Sequence, residues 1–405
     1  MSVEFRQARE EDARGIRHVF RACYGDDYFL PGVYHLPVLR EWISGAGVLV
    51  YVAVTPDGAV LGTAMLDLRP GEDRGDRIGE FGRLCVLPWA RGRRVGTRLM
   101  EVRLEAAERR IALGFAETRA AEPASTAIGL RQGFRPVGFF PSKDRFGRRE
   151  SSVFMVRHFG DALARRRRRP RVVPEAAPLA RHVLRTVGLA DDLDVTHPPE
   201  SSRPEPDASV GLISTGGRCG GERLTAVRDG GAAGRLAWRW SRRHRRGRLR
   251  TLQADDDGAR RALLAGFVEA AERRGALYLE AEVQAGEIAA QEALADVGFR
   301  AGAYVPAGAA TTEGRTDLLR MVRVHAAADL GPVDLHPAAR RVAALVTGAC
   351  RARSPGGAPP RAAGLLLRLI EEKDLEVETI VGTHGRPGTV EELRAALEAA
   401  RAGGG

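Results

Sequence analysis

Apolar positions at the start of the chain switch between two periods. Residues 2 to 8 suit a short strand, and residues 10 to 22 put Ile16, Val19 and Phe20 on one helical face. A second short helix is expected over 36 to 45. The run from Val48 to Val54 is apolar nearly throughout, as is the run from Ala59 to Leu68, and the turn Thr55-Pro56-Asp57-Gly58 between them predicts a β-hairpin. Residues 80 to 87 form another strand. From Val95 to Leu113 the positions Val95, Leu99, Met100, Val102 and Leu104 fall among strong helix formers, which predicts a long helix. A strand over 115 to 119, a helix over 124 to 132 and strands over 134 to 140 and 151 to 157 complete a unit of about 157 residues. That order predicts an α/β (α+β) layer architecture.

The arginine run Arg165 to Arg169, followed by Pro170 and Arg171, reads as a linker. A helix over 177 to 189 and a Pro, Ser and Asp-rich mobile loop from Asp194 to Ser209 come next. An internal repeat then appears. Residues 106 to 141 align with 270 to 306 with one residue inserted: both segments begin Ala-Ala-Glu-Arg-Arg, both carry Gly-Phe-Arg (Gly133 to Arg135, Gly298 to Arg300), and both end in proline. Each runs on to a Met-Val-Arg ending, at Arg157 and at Arg323. The repeat predicts duplication, with the second unit over about 172 to 325. The remainder predicts helices at 337 to 350, at 361 to 372 and after Thr389, the last opened by a capping box from Thr389 to Glu392, and a strand at 376 to 382. The expected division is therefore 1–160, a linker at 161–176, a second unit at 177–327 and a small helical tail at 328–405.

Composition agrees with several domains rather than one, since 405 residues at roughly 100 to 200 per domain predict two or three. With 44% hydrophobic and 28% charged residues, wholesale disorder is excluded. The net charge of +11 suggests a polyanionic partner, yet only Lys143 and Lys373 among the 63 basic residues are lysines. That skew fits GC-rich coding as well as it fits a selected basic surface. Cys23, Cys85, Cys219 and Cys350 form no CxxC pair, so neither a disulfide framework nor a zinc site is signalled, and a reducing cytoplasm is expected. The N-terminus lacks an apolar signal region and no stretch reaches 18 uninterrupted apolar residues, so no membrane span is expected.

Chemistry concentrates at residues 86 to 100, where a strand, a Pro-Trp turn, a run of Arg and Gly and a helix start follow one another. The first N–H groups of a helix lack intrahelical partners and carry the positive end of the macrodipole, which suits a pyrophosphate. Gly96 lets a phosphate approach the backbone, and Arg91, Arg93 and Arg94 supply charged donors. The competing reading is an arginine-rich, solvated turn.

Residues 3 to 157 resemble the GCN5-related N-acetyltransferase (GNAT) superfamily. The pyrophosphate-loop pattern of that family, Arg/Gln-x-x-Gly-x-Gly/Ala, reads here Arg91-Gly92-Arg93-Arg94-Val95-Gly96, with Arg94 in place of the first glycine. The preceding strand, the Leu87-Pro88 pair, the long helix and the helix ending at Gly133-Phe134 match as well. The resemblance implies a mixed, mostly antiparallel sheet flanked by helices. It implies that acetyl-CoA, as co-substrate, lays its pyrophosphate on the amides of Arg93, Arg94, Val95, Gly96 and Thr97 and its pantetheine along Leu84, Cys85 and Val86. The Val86 amide would then hold the oxyanion, and Glu80 would be the base, directly or through water. The acceptor would be a small-molecule or peptide amine. The family's usual acid, a tyrosine four residues before Gly-Phe, is replaced by Gly129. Cys85 reads as an apolar strand residue rather than an acyl-carrying nucleophile.

In the second unit the corresponding stretch, 252 to 264, carries Asp255, Asp256 and Asp257 before the helix. Carboxylates there occupy the anion position, so a fold copy without a cofactor site is expected. The clusters Arg165 to Arg171 and Arg239 to Arg250 read as solvated arginine before nucleic-acid contacts, and His384 as a loop histidine rather than a metal ligand. Two further readings stay open: a non-catalytic acyl-CoA-binding or interaction module, and a nucleic-acid-associated protein.

Overall fold

One 16-stranded sheet runs through the computed structural model, which describes residues 2–69, 77–146, 148–196, 209–216, 221–325, 333–351, 366–372 and 375–381. The first half of the sheet is built from β1 (Glu4–Gln7), β2 (Val48–Val54), β3 (Val60–Arg69), β4 (Ile78–Val86), β5 (Leu113–Arg119), β6 (Arg135–Phe146) and β7 (Arg148–His158), in the spatial order β1-β2-β3-β4-β5-β7-β6. All neighbours are antiparallel except β4 and β5. Helices α1 (Ala13–Tyr24) and α2 (Leu36–Ser44) precede β2, α3 (Val95–Ala107) joins β4 to β5, and α4 (Pro123–Arg131) joins β5 to β6. The expected helix from Val95 to Leu113 therefore ends at Ala107, and Leu113 already opens the next strand.

β2 is apolar on both sides because α2 packs on one and α3 on the other. The hairpin turn is as expected: Gly58 takes φ 85°, and the Thr55 amide donates to Ala59 O at 3.0 Å. The Gly-Phe-Arg element has a physical role in both places where it occurs. Gly133 (φ 84°) and Gly298 (φ 90°) end helices in the left-handed region. The next amide, of Phe134 or Phe299, bonds back to Gly129 O (3.0 Å) or Leu294 O (2.9 Å) while the ring enters the core.

After β7 come β8 (Arg171–Val172), α5 (Ala177–Thr186), β9 (Asp194–Val195), β10 (Gly211–Gly216), β11 (Gly221–Arg228), β12 (Gly231–Ser241), β13 (Arg246–Ala254), α6 (Asp257–Arg273), β14 (Tyr278–Gln284), α7 (Ile288–Asp296), β15 (Arg300–Thr311) and β16 (Gly314–Val324). Their order, β10-β11-β12-β13-β14-β16-β15, matches the first half, again with one parallel pair, β13 with β14. The halves meet where Gly138 of β6 faces Ala303 of β15. In the repeat alignment these are equivalent positions, so the contact joins a residue to its own counterpart, as at a two-fold axis. A Cβ at Gly138 would stand 2.2 Å from that of Ala303, so the crossing requires glycine on one side. Register shifts also coincide, at Pro136/Gly138 and Phe140/Asp144 in β6 and at Ala301/Ala303 and Val305/Ala309 in β15.

The arginine run after β7 is solvated as expected except at Arg166, which lies between Asp317 (2.8 Å) and Asp192 (3.0 Å) and is largely buried, while Arg165 and Arg167 to Arg169 are exposed. The expected loop from Asp194 begins as β9, which pairs with β8, and residues 197–208 lie outside the described residues. The tail opens with α8 (Pro337–Arg351), which packs on β6 and β15 and buries Ala339, Val342, Ala343 and Val346. The helix expected at 361 to 372 is not one: Leu366–Glu372 is strand β17, paired with β18 (Leu375–Val381), and β18 pairs with β10. A short apolar run fits either period, and here pairing with the next run and a sheet edge decides it. The helix expected after Thr389, its capping box and His384 lie outside the described residues.

Candidate functional site

The parallel pair β4 and β5 is in register only from Ile78 to Glu80 against Leu113 to Phe115. β4 then runs on to Val86 and β5 to Arg119 apart from each other, leaving a wedge between them. On its other edge β4 carries a bulge: Met65 faces Gly82 and Thr63 faces Cys85, so Arg83 and Leu84 together oppose Ala64. Arg83 takes φ 56° there, a strained region for a side-chain-bearing residue.

The extra residue changes which side chains share a face. Cys85 Sγ reaches Val19 O of α1 at 3.8 Å, and the Arg83 guanidinium stands 5.7 Å from the Trp42 ring of α2. Glu80 acts electrostatically on buried Tyr28, in the loop between α1 and α2. Glu80, Arg83 and Cys85 thus face α1 and α2. Phe81 packs under Arg103 of α3, and Leu84 and Val86 approach Gly96 of α3.

Arg103 holds the bulge from behind. Fully buried, it donates from Nη1 to Met65 O (2.9 Å) and Gly82 O (3.2 Å) and from Nε to Leu99 O (3.1 Å). Burial pushes its pKa down to about 9.

Beyond Val86 the chain passes a short 3-10 turn, Pro88–Ala90, then Gly92 (φ 76°) and Arg94 (φ 63°), and enters α3. Arg94 is the helix N-cap, makes no side-chain cap bond, and no acidic residue occupies the first turn. The Arg98 amide makes the first helical bond, to Arg94 O at 2.9 Å, so the amides of Val95, Gly96 and Thr97 stand at a helix mouth beside the wedge. Arg94 shows why the family pattern has glycine there: the position is left-handed. Thr63 pairs with Cys85, and the Leu87 amide bonds Leu61 O at 2.9 Å. By alternation the Val86 amide and carbonyl point the other way, into the wedge.

A strand bulge, a splayed parallel pair and an anion-accepting helix start therefore lie within one short stretch. The sequence model of the Acetyltransferase (GNAT) family matches residues 13–134, the segment that holds all three. Residues 13–134 are a GNAT acetyltransferase domain. No protein of curated function matches the chain in sequence. Among solved structures, the chain is similar to a GNAT superfamily phosphinothricin acetyltransferase from Sinorhizobium meliloti in complex with acetyl-CoA, at 23% identity and TM-score 0.33, over 40% of this chain and 90% of that one. It is also similar to yncA, a putative acetyltransferase from Salmonella typhimurium with acetyl-CoA, at 20% identity and TM-score 0.35, over 40% and 95%. A third is the ribosomal-protein-alanine N-acetyltransferase of Brucella melitensis, at 25% identity and TM-score 0.34, over 38% and 99%.

Within the GNAT domain the expected residues are placed as follows. Leu84, Cys85 and Val86 line the strand beside the wedge, and Arg93 and Arg94 are exposed at the helix mouth. Arg91 turns back instead, donating from Nε to Val86 O at 3.2 Å. A Cβ at Gly96 would lie 3.3 Å from Ile128 Cδ1 of α4, so the glycine keeps the mouth of the wedge narrow but open. Glu80 is half-buried, and its Oε1 would lie 3.2 Å from any Cβ at Gly82. A Cβ at Gly129 would lie 3.3 Å from Met155 Cε and 3.6 Å from Phe134 Cβ, so the position faces the core.

Three groups of the domain carry no sequence signal. Arg83 and Arg103 gain their roles from the bulge. Cys23, at the end of α1, places its thiol 3.4 Å from Val86 O and 3.8 Å from Arg91 Nη2. Hydrogen bonding from the Cys85 thiol, together with the charge of Arg91, outweighs desolvation and brings Cys23 down to about 7, while Cys85 is pushed up.

The second unit differs at the matching place. α6 starts behind Asp256, whose carboxylate accepts from the Ala259 amide at 2.8 Å and from Arg228 Nη1 at 2.6 Å. The Arg228 bond and the Ala259 amide bring Asp256 down to about 2. The Arg239 to Arg250 cluster is partly spent on the first half of the sheet and its loops: Arg246 pairs with Asp144 (2.8 Å), Arg243 donates to Tyr28 O (3.1 Å) and His244 Nε2 meets Phe29 O (3.0 Å). Among the described residues no group of three or more His, Cys, Asp or Glu could hold a metal, and no helix is long and apolar enough to cross a membrane.

Proposed function

We propose that this chain is a tandem GNAT-fold acyltransferase that moves an acetyl group from acetyl-CoA to a primary amine in a ternary complex. The observation that carries the reading is the uncapped α3 mouth opening onto the β4/β5 wedge. The pyrophosphate rests on the amides of Arg93 to Thr97, with Arg93 and Arg94 as charged flanks and Arg91 swinging from Val86 O to join them. The pantetheine runs along Leu84, Cys85 and Val86. The Val86 amide donates to the thioester oxygen, where negative charge develops.

Glu80 takes the proton of the acceptor's ammonium. The freed lone pair attacks the thioester carbon, the C–S bond breaks, and CoA leaves as a thiolate that is protonated by solvent or a neighbouring acid. The second unit arose by duplication and kept the fold without the cofactor site. It braces the Tyr28–Phe29 loop through Arg243 and His244, on the face that admits the acceptor. We place the domain limits at 1–160, 177–327 and 328–405, with 161–176 as a connector, on the order of the strands and the internal repeat. Four cysteines without a pairing pattern favour the cytoplasm.

Gly129 favours a second reading, a non-catalytic acyl-CoA-binding module, because it removes the family's usual acid. Thiol release from acetyl-CoA across a panel of primary amines separates the two. Turnover by the wild-type protein, reduced at least about a hundredfold in Glu80→Gln, is expected from loss of a general base. Wild type and variant equally inert with every amine would leave the binding module.

A further inference from the structure

Arg83 is a charged side chain of the cleft that the transfer chemistry does not use. Its side chain is 12% exposed, and its Nε and Nη1 are buried with no hydrogen-bond partner among the described residues. Its one ion-pair contact among the described residues is long: Nη2 stands 3.6 Å from Asp67 Oδ2, beyond hydrogen-bond distance. The Trp42 ring lies against the guanidinium at 5.7 Å. A buried cation with unmet donors is costly, and so is the left-handed backbone (φ 56°) that aims it. Both costs fall on one residue, three positions from Val86 and on the same face as Glu80.

From this we infer that Arg83 holds a carboxylate of the acceptor, which makes the acceptor a small amine that also bears a carboxylate, such as an α-amino acid. The inference rests on the reading of residues 13–134 as an active acetyltransferase. The planar fork of arginine matches a carboxylate in geometry and charge. Glu80 would face the ammonium and Arg83 the acid, two opposite charges on one strand face for a zwitterion that carries both. Asp67 holds the empty guanidinium loosely enough for exchange, and Trp42 keeps it flat.

Matched substrates test this: alanine against alaninamide, and serine against serinamide, in the thiol-release assay with acetyl-CoA. Wild type should favour each acid over its amide by about tenfold to a hundredfold in kcat/KM, the worth of a charge-assisted hydrogen bond. Arg83→Met should bring that ratio to near one, mainly through KM for the acids, and Arg83→Lys should restore part of it. A wild-type preference for amides, or a ratio unchanged in Arg83→Met, would overturn the inference. If no amine is turned over, the acetyltransferase reading fails by itself. Arg83 is then judged by calorimetry of N-acetylalanine and N-acetylalaninamide on CoA-loaded protein: acid-selective binding lost in Arg83→Met upholds it, and equal or absent binding of the two overturns it.

Discussion

The starts of α3 and α6 occupy the same place in two halves of one sheet, yet one helix N-terminus is open to an anion and the other is already filled by a carboxylate. α3 opens on Arg94 with its first amides uncapped and no acid in its first turn. α6 opens on Asp256, which caps Ala259 and is itself held by Arg228, and Asp257 pairs with Arg260. Extending the repeat alignment back along the helices, Gly96 corresponds to Arg260 and Arg103 to Phe267. The second unit thus fills the space beside its helix mouth and replaces the cation behind the bulge with an aromatic ring packed on Trp238. In β13 one extra residue, Arg250, sits near the corresponding place, without a left-handed partner to Arg83. The same topology holds in both halves, so the fold does not require the wedge chemistry. At this bulge the first half bears the cost of a strained residue, Arg83, and a buried cation, Arg103, while the second has neither a left-handed residue at Arg250 nor a cation in place of Phe267.

That contrast can be broken at Arg103. Replacing it by Leu leaves Met65 O and Gly82 O without their donor, which should destabilise the chain by about 2 to 4 kcal/mol. It should also weaken CoA binding, because the bulge that turns Leu84 and Val86 toward Gly96 loses its support. Denaturant unfolding and CoA titration read the two effects, and a variant as stable as wild type with unchanged affinity would show that the bulge stands without Arg103.

A smaller effect sharpens the account of the wedge. Cys23, lowered to about 7, is mostly thiolate above that pH and mostly thiol below it. Alkylation of Cys23 should therefore rise with pH through a midpoint near 7. Cys85→Ala should move the midpoint up by removing the donor to its sulfur, and bound CoA should slow the reaction by covering the wedge. A midpoint in the ordinary thiol range, unchanged in Cys85→Ala, would place the two sulfurs out of contact.

Much of the first half could be read from residue order: the β2/β3 hairpin, the loop Arg91 to Gly96, and the Gly133-Phe134 helix stop each depend on neighbours in sequence. The Gly-Phe-Arg element was also legible, because in both places it marks a left-handed helix end with a core aromatic. Arg83, Arg103 and Cys23 were not, since a bulge that shifts side-chain parity and a contact between α1 and β4 leave no local trace. The solvated reading of the arginines failed for Arg166 and Arg246 for the same reason, because Asp317 and Asp144 reach them across the fold. At 361 to 372 an apolar run with helix-forming residues became β17 because its partner strand and a sheet edge lay beside it.

On the proposed function, one helix mouth of the two receives the cofactor. Calorimetric titration of the full chain with CoA tests it directly. One CoA bound per chain, with binding abolished in Gly96→Asp by a carboxylate at the α3 mouth, is the predicted result. Two bound per chain, or binding that survives Gly96→Asp, would contradict it.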